Sequence, residues 1–329
     1  MLEDIRTSCA VVMERAAWVA IDTERLPAYA AAFTPAERQD PIDAAPEHPD
    51  PAPDREPGGE RAPGNDIEGR TALVLALAAI NFGSGYHPVV RKRPGCSGAV
   101  TMATALQEWA AHEGPVTAPQ LVALTPDDAH QIFDQPHDDG PVAELMTLFA
   151  QALNDLGALV GPEGSFVAFV ETAEGSADRL VQLMDALPFF RDRAMHGGHE
   201  VLFYKRAQLA AADLARELHG QGPGRFADLD RLTAFADNLV PHVLRVDGVV
   251  RFAPELVARV DREELLAPGS AEEVEIRAAG VHAVELLRAE LATQGHRVRS
   301  SRLDEVLWLR GGAPGYKARP RHRCRCVFY

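Results

Sequence analysis

The sequence predicts a mainly α-helical protein, a compact helical domain with only a few short strands. Three observations carry that prediction. Apolar residues recur at helical spacing through most of the chain, as in Val142, Leu145, Phe149, Leu153 and Leu156. Helix-opening signals precede several of these runs, among them Thr125-Pro126-Asp127-Asp128 and Ser270-Ala271-Glu272-Glu273. Strand-like runs are sparse. With 329 residues, 46% of them hydrophobic, the chain can bury a large core without disulfide or metal staples.

In chain order, residues 2–19 predict a first helix. From Pro35 to Gly64 the chain is crowded with Pro, Gly, Asp and Glu and is expected to form a long surface loop, which contains His48. Ile67 to Phe82 is nearly all apolar and predicts a helix buried on most sides. Ser97 to His112 follows, closed by Gly114. A short helix opens at Thr125, a longer one spans Pro141 to Val160, and Ser176 caps one reaching Leu187. Phe166 to Val170 and Cys326 to Tyr329 are the strand candidates. Glu200 to His219 predicts a helix stopped by Gly220. Asp228 opens the next, interrupted by Pro241 just after Asp237. The Ser270 capping box opens a long helix through Leu291, and Ser301 to Leu309 predicts a last short one carrying Asp304 and Glu305 in its first turn. The expected organisation is one domain over 1–329 with two helical lobes, about 1–190 and 191–329.

A formal net charge of −15 argues against a surface that tracks phosphates along a polymer. Positive charge is local instead, at Arg91-Lys92-Arg93, Lys205-Arg206 and the tail from Arg319 to Arg325, which suits one small anion. The four scattered cysteines give neither a disulfide framework nor a zinc spacing, since Cys324-Arg325-Cys326 lacks a second ligand pair. A reducing cytoplasmic location and the absence of metal or organic cofactor are therefore expected. No apolar run approaches the length of a membrane span, and no phosphate loop, dinucleotide fingerprint or nucleophile elbow occurs.

Candidate chemistry gathers between Phe203 and Asp237. Asp237 lies among Phe235, Ala236 and Leu239, so an acid there is capping, ion-paired or catalytic, and the residues alone leave these open. Lys205 and Arg206 either hold a phosphate or lie on a solvated face. Asp304 and Glu305 favour a helix dipole whatever else they do.

A resemblance narrows these alternatives. Five words in fixed order, Phe203-Tyr204-Lys205-Arg206-Ala207-Gln208, Phe235-Ala236-Asp237, Glu273-Val274-Glu275-Ile276-Arg277, Leu303-Asp304 with Trp308, and His322-Arg323 through Cys326-Val327-Phe328-Tyr329, resemble the queuosine 5'-phosphate N-glycosylase/hydrolase family. The resemblance implies hydrolysis of the N-glycosidic bond of queuosine 5'-phosphate, releasing queuine, a 7-deazaguanine base, and ribose 5-phosphate. It implies Asp237 as the catalytic carboxylate, Phe235 in the base pocket, and Asp304 on polar edges of the base or its cyclopentenediol arm. A histidine from the N-terminal half, for which His48 is the candidate, also reaches the base. Lys205 is the candidate for the 5'-phosphate, with Arg277 and the tail arginines as competitors. The chain departs from the family at Glu305, Leu309 and Phe82-Gly83-Ser84-Gly85-Tyr86, which bears on substrate contacts more than on the reaction. Gly220-Gln221-Gly222-Pro223-Gly224 before an acid-bearing helix is also similar to helix-hairpin-helix DNA glycosylases, an analogy of fold. Two other readings stand beside this one: base excision from DNA or RNA, and a helical binding module without chemistry. The expected partners are the small nucleotide and its base product, with no stable nucleic-acid complex and no membrane.

Overall fold

Helices dominate the computed structural model, which describes residues 1–39, 67–137, 139–161 and 164–329. Several begin where a hydroxyl side chain accepts a hydrogen bond from the first turn. Ser97 accepts from the Val100 amide, Ser176 from Arg179, and Thr125 and Asp128 form a reciprocal box. The long helix Ala271–Thr293 opens less symmetrically. Ser270 accepts from Glu273, but the Glu273 carboxylate returns to the Gly269 amide, 3.2 Å away.

Among the described residues the strands form three two-stranded sheets, Val19–Ile21 with Val250–Phe252, Arg193–His196 with His199–Leu202, and Leu265–Leu266 with Arg323–Cys324. The first two are antiparallel and the third parallel. No helix among the described residues is long and apolar enough to cross a membrane.

Several expectations are corrected. The first helix stops at Arg15, and Val19–Ile21 is a strand. Phe166–Glu171 is a helix, because Ser165 caps it and the Glu68 carboxylate accepts from Phe166 and Val167 at 2.6 and 3.2 Å. The last strand is Arg323–Cys324, not 326–329. Glu200 lies in a hairpin strand. Gly197 and Gly198, both at positive φ, make the two-residue turn there, and the helix starts only at Lys205. The chain after Gly224 makes a short 3-10 turn at Leu229–Arg231 and then runs without helix or strand through Asn238, so the glycine turn does not pass directly into a second helix. Pro241 stands in the first turn of Val240–Val246 and opens that helix. Helix Ser300–Gly311 begins one turn earlier than Asp304. Pro35–Arg38 is a short helix boxed by Thr34 and Glu37; the remainder of the expected loop, with His48, lies outside the described residues.

Buried apolar side chains form two large clusters. One joins Leu2–Val12 to residues 72–218, and the other joins Val19–Phe33 to residues 234–307. Helix Ala271–Thr293 serves both, with Val274, Ala278 and Val281 in the first and Ile276, Ala279, Val284 and Leu287 in the second. A helix covered on opposite faces explains why even Glu273, Glu275 and Arg277 are buried. The irregular segment 232–238 runs along the seam, since Ala234 belongs to the second cluster and Ala236 to the first.

Candidate active site

Segment 233–238 is irregular yet heavily tethered. Thr233 donates its amide to Gln208 Oε1 at 2.8 Å, and Gln208 Nε2 donates to the Phe203 carbonyl at 2.9 Å. The Phe235 amide donates to Asp304 Oδ1 at 2.9 Å. The Ala236 carbonyl accepts from Arg277 Nε at 3.0 Å, and Asn238 Nδ2 donates to the His322 carbonyl at 3.3 Å. Bonds from four separate parts of the chain thus hold a stretch that no ladder or helix supports.

Asp237 sits at the end of this stretch, half-buried. Its Oδ1 accepts from the amides of Leu239 and Val240 at 2.8 and 3.0 Å, as a capping acid does. Its Oδ2 makes no hydrogen bond among the described residues. One oxygen is therefore fixed by backbone and the other is not.

Asp304, on helix Ser300–Gly311, is buried, and burial followed by the nearby charge of Asp237 pushes its carboxyl well above the usual carboxylate range. Lys205, at the start of helix Lys205–Glu217, is also buried. Its Nζ donates to Asn81 Oδ1 at 2.5 Å and to the Asn81 carbonyl at 3.1 Å. Burial lowers its ammonium to about 8, opposed chiefly by the charge of Asp237. Phe235 is 8% exposed, an apolar side chain two residues before Asp237 whose own amide is held by Asp304.

Lys205, Phe235, Asp237 and Asp304, singled out from sequence, are thus brought together. Glu305 is turned to the side and pairs with Arg302 at 2.6 Å. The amide at the Lys205 helix start is already taken by Asp192 Oδ2 at 3.2 Å, so the cation available for a phosphate there is the side chain alone. Arg277 is committed as well. It grips Asp192 through two bonds of 2.9 and 2.7 Å and stacks over the rings of Phe203 and Tyr329. Arg206 lies between the rings of Phe82 and Phe190 and donates to the carbonyls of Ala79 and Phe189.

Two residues beside Lys205 were missed, and one was named only within a group. Asn81 holds Lys205 and His87 lies within its field, while Arg321, one of the tail arginines, lies within that of Asp237. A helix ending in Asn81-Phe82-Gly83-Ser84-Gly85-Tyr86-His87 offers a signal that could have found the first two: small residues between polar ones mark a close approach of chain segments. The tail arginines gave only a charge count, with nothing to separate Arg321 from its neighbours.

A model of the family described as queuosine salvage protein matches residues 65–329. The chain is also similar to proteins named queuosine 5'-phosphate N-glycosylase/hydrolase. The one from Sphaerobacter thermophilus is 38% identical over 274 residues, 80% of this chain and 83% of that protein. Those from Dictyostelium discoideum and Mus musculus are 35% and 36% identical, over 64% and 56% of this chain and 65% and 58% of their own.

Proposed function

The chain belongs to the queuosine salvage protein family, and we propose on that premise that it hydrolyses the N-glycosidic bond of queuosine 5'-phosphate to queuine and ribose 5-phosphate. The single observation that carries the reading is Asp237, tethered through Oδ1 with Oδ2 left open beside a second, buried acid.

Water and the nucleotide enter; the carbon–nitrogen bond breaks, its electron pair leaves with the base, the anomeric carbon gains the hydroxyl of water, and the other proton of water ends on the base nitrogen that departed. Charge at that carbon is positive only near the transition state, so a fixed carboxylate beneath it lowers the barrier without tightening the ground state. A 7-deazaguanine has carbon at the position where a purine offers N7, and departure of the base cannot be helped by a proton there. The burden falls on the sugar side, on Asp237.

Asp304 supports the base. Its Oδ1 is engaged by the Phe235 amide, and its second oxygen meets polar edges of the base or its cyclopentenediol arm. Phe235 covers a face of the ring, and Lys205 Nζ meets the phosphate. His48 remains the proposed histidine for the base. Glu305, turned toward Arg302, serves the rim of the arm subsite.

The substrate is a small molecule and the net charge of −15 supports no lasting hold on a polynucleotide; a gel shift with duplex DNA and tRNA at moderate salt is expected to show none. The chain works in this reading as one salvage domain of two lobes, about 1–190 and 191–329.

Queuosine 5'-phosphate incubated with the wild type is expected to give free queuine by chromatography. Asp237→Asn, which keeps the shape and removes the charge, is expected to slow release by about 10³-fold or more. Undiminished release from the amide variant would sink this assignment.

A further inference from the structure

Cys324-Arg325-Cys326, the one close pair of cysteines in the sequence, has no part in the reaction proposed above. Both thiols are free, and they pack together with Tyr329 in a small buried cluster apart from the two large ones. Strand Arg323–Cys324 runs beside Leu265–Leu266, and side chains two apart on an extended chain leave on one side. The Cys324 thiol donates a hydrogen bond to the Cys326 sulfur, which also accepts from the Phe328 amide. Two sulfurs already in contact need little movement to be joined.

The two are unequal. Cys324 is wholly buried, whereas Cys326 keeps 7% of its surface exposed. The hydrogen bond to Cys326, then burial, holds the Cys324 thiol well above the ordinary cysteine range. Burial also raises Cys326, but the bond from Cys324 and the charge of Arg277 outweigh it and leave this thiol below its ordinary value. A sulfur with thiolate character that reaches the surface, next to a second thiol, is the arrangement that small oxidants attack. Cys9 shows the other case. It is wholly buried, burial pushes its thiol up against the charge of Arg277, and it donates to the Leu202 carbonyl.

We propose that Cys324 and Cys326 are a dithiol site for hydroperoxides, closing to a reversible disulfide that slackens the tail's hold on residues 83–85. The Cys326 sulfur attacks one oxygen of hydrogen peroxide; the O–O bond breaks, the leaving oxygen departs as water with the Cys326 proton, and a sulfenic acid remains. The Cys324 sulfur then attacks the sulfenic sulfur; the S–S bond forms, the S–O bond breaks, and a second water leaves with the Cys324 proton. The dithiol gives up two electrons and the peroxide takes them. At extended spacing the two Cα atoms stand about 6.6 Å apart, the far end of what a disulfide spans, so the bond draws Arg325 in. The stretch is close-fitted to the turn beside it. Gly85 packs onto the Cys324 carbonyl with no room for a side chain, the Tyr329 carbonyl accepts the amides of Gly83 and Ser84 at 3.0 and 3.3 Å, and the Arg325 guanidinium lies 5.3 Å over the Tyr86 ring. The site needs nothing from the glycosidic reading.

The test is oxidation of the folded full chain with hydrogen peroxide, then alkylation in denaturant and mass analysis of the peptide that holds both cysteines. A Cys96→Ser parent removes the other partly exposed thiol. The peptide is expected to lose two hydrogens and escape alkylation, and dithiothreitol to restore both thiols. With Cys324→Ser added, Cys326 is expected to stay a sulfenic acid that dimedone traps. If that variant fails to fold, the parent's peptide decides alone. The oxidised parent is expected to unfold at a lower urea concentration than the reduced one and to recover with dithiothreitol. Two alkylated thiols after peroxide, a disulfide that forms only in urea, or Cys326 carried on to sulfinic acid with no disulfide overturns the site. A disulfide that leaves the urea midpoint unchanged overturns the slackening of the tail.

Discussion

Two groups of buried charge lie close to segment 233–238, and they are built on opposite plans. In the first, Asp192 meets Arg277 through two bonds, caps helix Lys205–Glu217 through its carboxylate, and takes the amides of Phe203 and Tyr204 on its own carbonyl at 3.0 and 3.3 Å. Charge and hydrogen bonds are both balanced. In the second, Asp237 and Asp304 repel each other, Lys205 is desolvated, and one oxygen of Asp237 has no partner among the described residues. In the proposed reading the contrast separates the frame of the molecule from its reactive groups. Satisfied charges hold the segment still, so that unsatisfied ones can stay poised beside it.

Breaking the frame is expected to cost more stability than any change at the acids. Asp192→Ala leaves Arg277 buried with no bidentate partner and opens the Lys205 helix start. Removing one member of such a pair costs about 3–5 kcal/mol, and urea unfolding is expected to show a loss of that size. A loss below about 1 kcal/mol would mean that the pair behaves as a surface bridge does, and the contrast would fail.

The second group is expected to announce itself through pH. Burial lowers Lys205 to about 8, so its ammonium is present below that pH and is lost above it. The ordinary lysine value lies far higher. Phosphate affinity should therefore be strongest below pH 8 and decline about tenfold for each further unit of pH. The value of kcat/KM for the nucleotide, which reports the free enzyme, should show this fall, and Lys205→Met should abolish it. A flat profile to pH 9.5 would place the phosphate elsewhere.

Much of the frame was legible in sequence, because hydroxyl caps and helical spacing act locally. What failed did so for long-range reasons. Phe166-Val167-Ala168-Phe169-Val170 has the composition of a strand, and Glu68, distant in sequence, closes its first turn as a helix. Gly197-Gly198 was a hairpin signal hidden behind apolar spacing that suited a longer helix. Pro241 reads as a stop when a helix is assumed before it and as a start when none is, and that choice moved Asp237 from a helix face to an irregular segment. The acids and Lys205 stood out through the family resemblance, the residues alone leaving capping, ion pairing and a solvated face open. Asp192, Gln208 and Arg321 did not, since nothing local shows which partner a charged or amide side chain will meet.

The smallest expected effect separates the two plans most cleanly, because its sign is opposite to that of the frame. Burial and Asp237 raise the carboxyl of Asp304. Between the unfolded carboxylate value and the raised folded one, the native state holds a proton that the unfolded chain has released. Stability therefore falls as pH rises through that window. Asp304→Asn keeps an oxygen for the Phe235 amide, removes the ionisable carboxyl facing Asp237, and abolishes this slope. It is expected to raise stability at pH 7 on the order of 1 kcal/mol, with the gain vanishing toward pH 4, while queuine release slows because an amide changes the polar contact with the base. Chemical unfolding of both proteins at several pH values checks it. A frame residue can only lose by such a change, so a destabilised Asp304→Asn would move Asp304 into the company of Asp192, as a support for Phe235 with no share in the strain that marks the acids.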